Sequence, residues 1–283
     1  MTAYNPSAKF AIKTWDVEFR RAPKRMLMAR VYQPQDSGPF PALLDLHGGA
    51  WNNQDRTANA MMDEALAQSG ILVVAIDLTR ATEAPYPASV QDANYGVRWL
   101  KAKANEWNGD AATVGALGSS SGGHEVQLVA LRPRDPRYCA HVLAEAPNLD
   151  ATVKYVATRS PVSDPYARFL NAEKLERTEM VQNSKNYFNP WEAIHEGNPQ
   201  EILDRKESVT LPPLLIMQGE LDDNVRPAVQ EKFANAYRAA GGPCQYELFP
   251  GCEHLWIREP GPMTTRAHEM VKTFIAKQLG GAR

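Results

Sequence analysis

Gly118-Ser119-Ser120-Ser121-Gly122-Gly123 is the stretch on which the reading of this chain turns. A short apolar run, Thr113 to Leu117, leads into it, and a helix-like segment, Glu125 to Leu131, leads out. Set between a strand and a helix, Gly-x-Ser-x-Gly reads as a sharp turn that holds Ser120 at its apex, the form of a nucleophile elbow. Glycine is needed where strand and helix backbones pass too closely for a side chain. The motif alone leaves a plain serine-rich turn as the alternative, so the rest of the chain has to decide.

The 283 residues suffice for one large α/β domain with a substantial core. Apolar content of 43% and charged content of 23% are those of an ordinary globular chain, and a net charge of −2 argues against nucleic acid or an anionic membrane as partner. The longest strand-like apolar run, Ile71 to Ile76, is far short of a membrane span. Met1 to Phe10 is polar and lacks the apolar core of a signal peptide, so the expected location is cytoplasmic. Cys139, Cys244 and Cys252 are widely spaced and odd in number, which predicts no disulfide framework, and Cys252 reads as a buried, inert thiol. The histidines show no metal-ligand spacing, and no P-loop or GxGxxG occurs, so neither metal nor cofactor is expected.

Read in order, Ala11–Arg20 and Met26–Tyr32 predict an antiparallel hairpin, and Ala42–Leu46 a short strand running into His47-Gly48-Gly49-Ala50-Trp51. Thr57–Gln68 predicts an amphipathic helix closed by Gly70, Ile71–Ile76 a strand buried on both faces, and Ser89–Lys103 a second helix. After the Ser120 turn, Ala140–Ala144 reads as a further strand. Residues 147–213 are polar and punctuated by proline, with no clear strand, which predicts a helical insertion over about 150–210, a cap or lid, or else packing helices of the main domain. Leu214–Met217 and Gln245–Phe249 read as strands, Pro227–Ala239 and Thr264–Leu279 as helices. Alternating strands and helices imply one α/β domain, 1–283, built on a mostly parallel sheet of about eight strands flanked by helices.

In such a sheet ligands bind beyond the carboxyl ends of the strands. Ser120, the Gly48-Gly49 pair, Asp222 and His254 each follow a predicted strand, in the chain order Ser, Asp, His. With these pieces in place the sequence resembles the α/β-hydrolase esterases of the hormone-sensitive-lipase-like and feruloyl/acetylxylan-esterase-like (BD-FAE-like) groups. The resemblance runs from about Arg30 to the C-terminus. It is carried by His47-Gly48-Gly49-Ala50-Trp51, by Glu83 to Ala88 leading to Asp92, by Gly118 to His124, by Gly219 to Val225 and by Pro250 to His254.

The resemblance implies Ser120 as nucleophile, His254 as general base and then acid, Asp222 as the group that orients the imidazole, and backbone N–H groups of Gly48, Gly49 and Ser121 as oxyanion hole. Asp223 is the competing acid, with an exposed loop carboxylate as its bland reading; Asp222 is favoured because it holds the family's GxxD position. Trp51 and Trp256 are candidates for an aromatic wall around the acyl or leaving group, with core packing as the alternative. His124 reads as packing or hydrogen-bonded at the start of the elbow helix, not as a second base, and His47 as shaping the glycine loop. Two departures stand out: Ala50 replaces the third glycine of the HGGG form, and the short stretch before His47 leaves little room for N-terminal cap helices, which favours the feruloyl/acetylxylan branch. The function implied is hydrolysis of small or aryl-containing carboxylic esters through an acyl-enzyme. Arylformamidase or other amidase, lactone or carbamate hydrolysis would use the same residues, and a non-catalytic ligand receptor on this fold is the reading from another class. The expected partner is a small-molecule ester, with a homodimer left open.

Overall fold

In the computed structural model, which describes residues 4–280, β1 (Ile12–Arg21) and β2 (Met26–Pro34) pair antiparallel as the expected hairpin. The first three residues of the polar stretch Met1 to Phe10 lie outside the described residues. β3 (Phe40–Leu46), α1 (Ala60–Gln68) and β4 (Leu72–Ile76) follow. Every residue of β3 and β4 is buried, yet alternate side chains go to different cores: Leu44, Leu46, Val74 and Ile76 to one face, Leu43, Val73 and Ala75 to the other. That is the signature of strands covered on both sides. α1 starts three residues later than the Thr57 its periodicity suggests. Thr57 is tied back to Asp55, and the Asn59 side chain donates to both Asp45 oxygens instead of capping the helix.

α2 (Ala88–Lys103) leads to β5 (Gly109–Ser119), which passes through Ser120 into α3 (Ser121–Leu131). Next comes β6 (Val156–Arg159), then the helices α4 (Pro165–Lys174), α5 (Thr178–Tyr187), α6 (Ala193–Glu196) and α7 (Pro199–Asp204). β7 (Leu214–Gly219), α8 (Pro227–Ala239), β8 (Cys244–Phe249) and α9 (Pro262–Gln278) complete the chain.

Two expectations need correction here. Ala140–Ala144 forms no strand: its Leu143 is buried, but its Val142 is 80% exposed, so the apolar run has no second face to bury. The strand in this part of the chain is β6, inside the stretch 150–210, paired parallel to both β5 and β7. The helical segment therefore starts after Arg159, not at 150. β6 escapes a hydrophobicity scan because two of its four residues, Thr158 and Arg159, are polar and still fully enclosed.

The eight strands lie in the order β1-β2-β4-β3-β5-β6-β7-β8, antiparallel for the first three and parallel from β4 onward. α2, α3 and α8 pack on one face, α1 and α9 on the other. This is an α/β-hydrolase fold with a helical insertion between β6 and β7. Its connections leave β3 toward β4 on one side and reach β5 on the other, so the topological switch point lies between the carboxyl ends of β3 and β5. The glycine loop and Ser120 sit at those two ends. Among the described residues no helix is long and apolar enough to cross a membrane, and no group of three or more His, Cys, Asp or Glu could hold a metal ion. Cys139, Cys244 and Cys252 are free thiols; Cys252 is buried, which pushes its thiol up.

Candidate active site

Ser120 occupies the turn between β5 and α3 with φ 53° and ψ −117°, a sparsely populated conformation that costs a non-glycine residue about 1–3 kcal/mol. Its backbone is fixed on every side. Ser120 N donates to Arg159 O at 2.9 Å, and Ser120 O accepts from His124 N at 3.2 Å and Val162 N at 3.1 Å. The glycines beside it are demanded by space. A Cβ on Gly118 would lie 2.5 Å from Gly122 O, and one on Gly122 would lie 2.2 Å from Leu46 O. The crowded elbow thus follows from a helix that starts directly against the end of β3.

The hydroxyl so displayed meets an imidazole. Ser120 Oγ lies 3.0 Å from His254 Nε2, and His254 Nδ1 lies 2.8 Å from Asp222 Oδ2. The loops carrying these two residues touch because Gly219 has no side chain: a Cβ there would sit 2.5 Å from Cys252 O. Asp222 is enclosed and fully engaged. Its Oδ1 accepts from Val225 N at 2.8 Å and Asn224 N at 3.1 Å, while its Oδ2 also accepts from Gln218 Nε2 at 3.1 Å. Burial alone would raise this carboxyl, but the bonds from His254 and the Val225 amide outweigh it and hold it below its usual value. His254 shifts down: burial dominates, Asp222 pulls the other way, and the nearby Arg159 and Arg168 guanidiniums push it lower still. A neutral imidazole facing a hydroxyl is the state a general base requires. Asp223 is elsewhere, 70% exposed at its side chain and ion-paired with Arg177.

Gly48 lies against the elbow, where a Cβ would come within 3.2 Å of Ser120 Cβ. The loop beyond it is wound through left-handed conformations at Gly49 (φ 108°), Ala50 (φ 50°) and Trp51 (φ 63°), and Ser121 Oγ accepts from Trp51 N at 3.2 Å to bind loop to helix. Among the described residues the amide N–H groups of Gly48, Gly49 and Ser121 have no acceptor within the chain. Unengaged donors at a helix N-terminus and an adjacent turn suit a developing oxyanion. His47 and His124 are buried, both pushed down by burial, the latter to about 4.

A hollow of about 260 Å³ opens over Ser120. Gly48 and Gly49 line it with His254, Asn53, Gln54, Asn224, Leu255 and Arg258, and the insertion contributes Arg168, Glu179, Met180 and Asn183. Arg159 closes its floor, with Nη1 donating to His254 O at 2.6 Å. A neighbouring hollow of about 350 Å³ shares Gln54, Arg159 and Arg258 and extends toward Asn59 and Met61. No aromatic residue lines either one. Trp51 and Trp256, expected as an aromatic wall, line neither of these two hollows. Trp51 is 5% exposed, stacks on Tyr187 at 4.6 Å and donates from Nε1 to His124 Nδ1; Trp256 stacks on Phe249 at 4.5 Å. Both are packing residues. Arg159, Arg168 and Asn224 are the wall residues that sequence reasoning missed. Arg159 sits in the unrecognised β6, and Arg168 stands in a polar helix that gives no sign of which face turns inward.

Residues 30–237, most of the chain, match the family described as BD-FAE. The chain belongs to the BD-FAE family. The matched region takes in the glycine loop, the elbow and Asp222, and stops short of His254. Among solved structures, this BD-FAE chain is similar in fold to a truncated carbohydrate esterase from gut microbiota, with a TM-score of 0.79 at 20% identity over 97% of this chain and 98% of that one. It is also similar to a thermophilic esterase of Thermogutta terrifontis bound to propionate, with a TM-score of 0.75 at 19% identity over 95% and 94%. Esterase LipQ of Mycobacterium tuberculosis is 24% identical over 98% of this chain, and the match spans 66% of LipQ, just under two thirds of its length.

Proposed function

We propose that the protein hydrolyses small carboxylic esters through an acyl-enzyme. Ser120 Oγ attacks the ester carbonyl carbon as its proton passes to His254 Nε2. The tetrahedral oxyanion accepts hydrogen bonds from the Gly48, Gly49 and Ser121 amides. Collapse breaks the bond to the leaving oxygen, which takes the proton from His254 and departs as alcohol. Water then attacks the acyl-enzyme with His254 again as base, and the acid product leaves with Ser120 restored. Asp222 keeps the Nδ1 proton of His254 in place, so that Nε2 is free to accept.

The observation that carries this reading is the continuous line from Ser120 Oγ through His254 to Asp222, at 3.0 and 2.8 Å, beside a loop of unengaged amides. The esterase names of LipQ and of the Thermogutta terrifontis protein support it. The hollow of about 260 Å³ over Ser120 has room for a small ester. On the same reading the chain is one domain, and α4 and α5, which supply Arg168, Glu179, Met180 and Asn183, act as its cap. The test is a panel of p-nitrophenyl acetate, butyrate and octanoate with the Ser120→Ala variant as control. Turnover should fall with chain length and vanish in the variant; undiminished turnover in a folded Ser120→Ala protein overturns the reading.

A further inference from the structure

We infer that the site selects esters that carry a carboxylate, held by the Arg168 guanidinium with Arg159 supporting it from the floor of the hollow. The inference rests on the ester-hydrolase reading of the same site and adds its substrate class.

Two buried guanidiniums beside Ser120 lack an ion-pair partner among the described residues. Arg168 is 5% exposed and Arg159 4% exposed. Arg168 Nε donates to Asn224 Oδ1 at 2.9 Å and its guanidinium lies 5.6 Å over the Trp51 ring, which holds it rigidly, but its Nη1 is buried with no partner. Arg159 has Nη1 on His254 O and leaves Nε buried and unpartnered. Among the described residues neither has a carboxylate within 4 Å. The comparably enclosed Arg20 and Arg132 do: Asp92 faces the first, Glu196 and Glu207 the second. Arg98, also without a carboxylate, donates to two neutral oxygens and leaves no buried nitrogen unpartnered.

Enclosing two guanidiniums without an ion-pair partner is unfavourable, so their retention beside Ser120 asks for a compensating anion. Among the described residues no carboxylate makes an ion pair with either guanidinium. Both guanidiniums feel the charge of Asp222, but its oxygens are taken up by His254, Gln218 and two amides. Burial pushes the Asp45 carboxyl on the Arg159 side up, toward its neutral form. At the rim, Glu179 and Arg258 are exposed and of opposite sign, so they largely cancel. The hollow is left positive, polar and free of aromatic residues. A guanidinium fork matches a carboxylate in shape and charge, and such charge-assisted bonds are the strong ones.

The competing account is that the arginines only brace the His254 and Asn224 loops, or favour every oxyanion alike; neither would discriminate between a charged and a neutral ester. The experiment therefore compares 4-nitrophenyl hydrogen adipate with 4-nitrophenyl methyl adipate, equal in reach and differing in charge. A second arm compares 4-acetoxybutanoate with its methyl ester, which moves the carboxylate to the alcohol side. In the wild-type protein the charged member of at least one pair should win in kcat/KM by about 10–100-fold. Arg168→Gln should cut that ratio at least tenfold, and Arg168→Lys should keep part of it. The ratio is taken within each variant, so a general loss of activity cancels. A wild-type ratio within threefold of one in both arms overturns the inference and leaves the esterase reading standing, as long as the neutral esters are cleaved. A ratio that Arg168→Gln leaves unchanged overturns the assignment to Arg168. Should no ester be cleaved, the esterase reading fails, and adipate binding to the Ser120→Ala protein decides the anion site. A rise in Tm with adipate that disappears in Ser120→Ala/Arg168→Gln supports it; no rise overturns it.

Discussion

Replacing Asp222 by Asn probes the part of the site where the structure is most restrictive. The carboxylate accepts on both oxygens: Oδ1 from the Asn224 and Val225 amides, Oδ2 from His254 Nδ1 and Gln218 Nε2. An asparagine can present its oxygen to only one of these pairs. Turning the oxygen toward His254 sets its NH2 against two buried backbone donors and leaves both unsatisfied, at about 1–3 kcal/mol each. The favoured orientation therefore gives the oxygen to the amides and the NH2 to His254. Nδ1 must then accept, the ring proton moves to Nε2, and Nε2 donates to Ser120 Oγ where it should receive. Wrong-tautomer substitutions of this kind lower kcat by about 10⁴, near 5 kcal/mol at 1.36 kcal/mol per decade. Asp223→Asn removes only an exposed carboxylate paired with Arg177 and should stay within about threefold of wild type. The assay is kcat on p-nitrophenyl acetate for both variants, with Tm measured to establish that Asp222→Asn is folded. A folded Asp222→Asn protein within tenfold of wild type would refute the reasoning, and so would a larger loss in Asp223→Asn.

Other outcomes follow from the same geometry. Protonated His254 cannot take the Ser120 proton, and burial with the Arg159 and Arg168 charges holds it below the ordinary 6.5, so the acid limb of kcat/KM should have its midpoint below pH 6.5 and that midpoint should move up in Arg168→Gln as one neighbouring cation is lost. His124 is buried and pushed from 6.5 to about 4, so the unfolded chain binds its proton first as pH drops. Stability from this residue is complete above pH 6.5 and lost as pH falls toward 4, on the order of 3 kcal/mol, readable in urea titrations as a weaker acid dependence in His124→Gln. Gly122→Ala forces a Cβ to 2.2 Å from Leu46 O and 2.4 Å from His47 O. Both neighbours are backbone, so stability should drop by at least about 3 kcal/mol in thermal or urea unfolding.

The fold was legible in the sequence wherever burial alone sets the pattern. Ile71 to Ile76 has to be a doubly covered strand, and Pro227 to Ala239 begins and ends as its proline and apolar spacing dictate. It was illegible where a polar side chain is enclosed by tertiary partners. β6 carries Thr158 and Arg159, whose side chains bond to carbonyls of neighbouring elements, and Ala140–Ala144 has the composition of a strand without a place in the sheet. The site shows the same division. Ser120, Asp222 and His254 could be found from motif and order, because each follows a strand end that topology must bring near the others. The walls could not: Trp51 and Trp256 looked like substrate contacts by position and turned inward to pack, while Arg168 reaches the hollow from a helix whose facing depends on how the insertion folds.

The most direct test of the central claim is covalent. A fluorophosphonate incubated with the native protein should add one adduct per chain, mapping by peptide mass to Ser120, with loss of p-nitrophenyl acetate turnover in step with labelling. Labelling should slow by orders of magnitude in Asp222→Asn and be absent in Ser120→Ala. An adduct on another residue, or full turnover by a chain labelled at Ser120, would contradict the account.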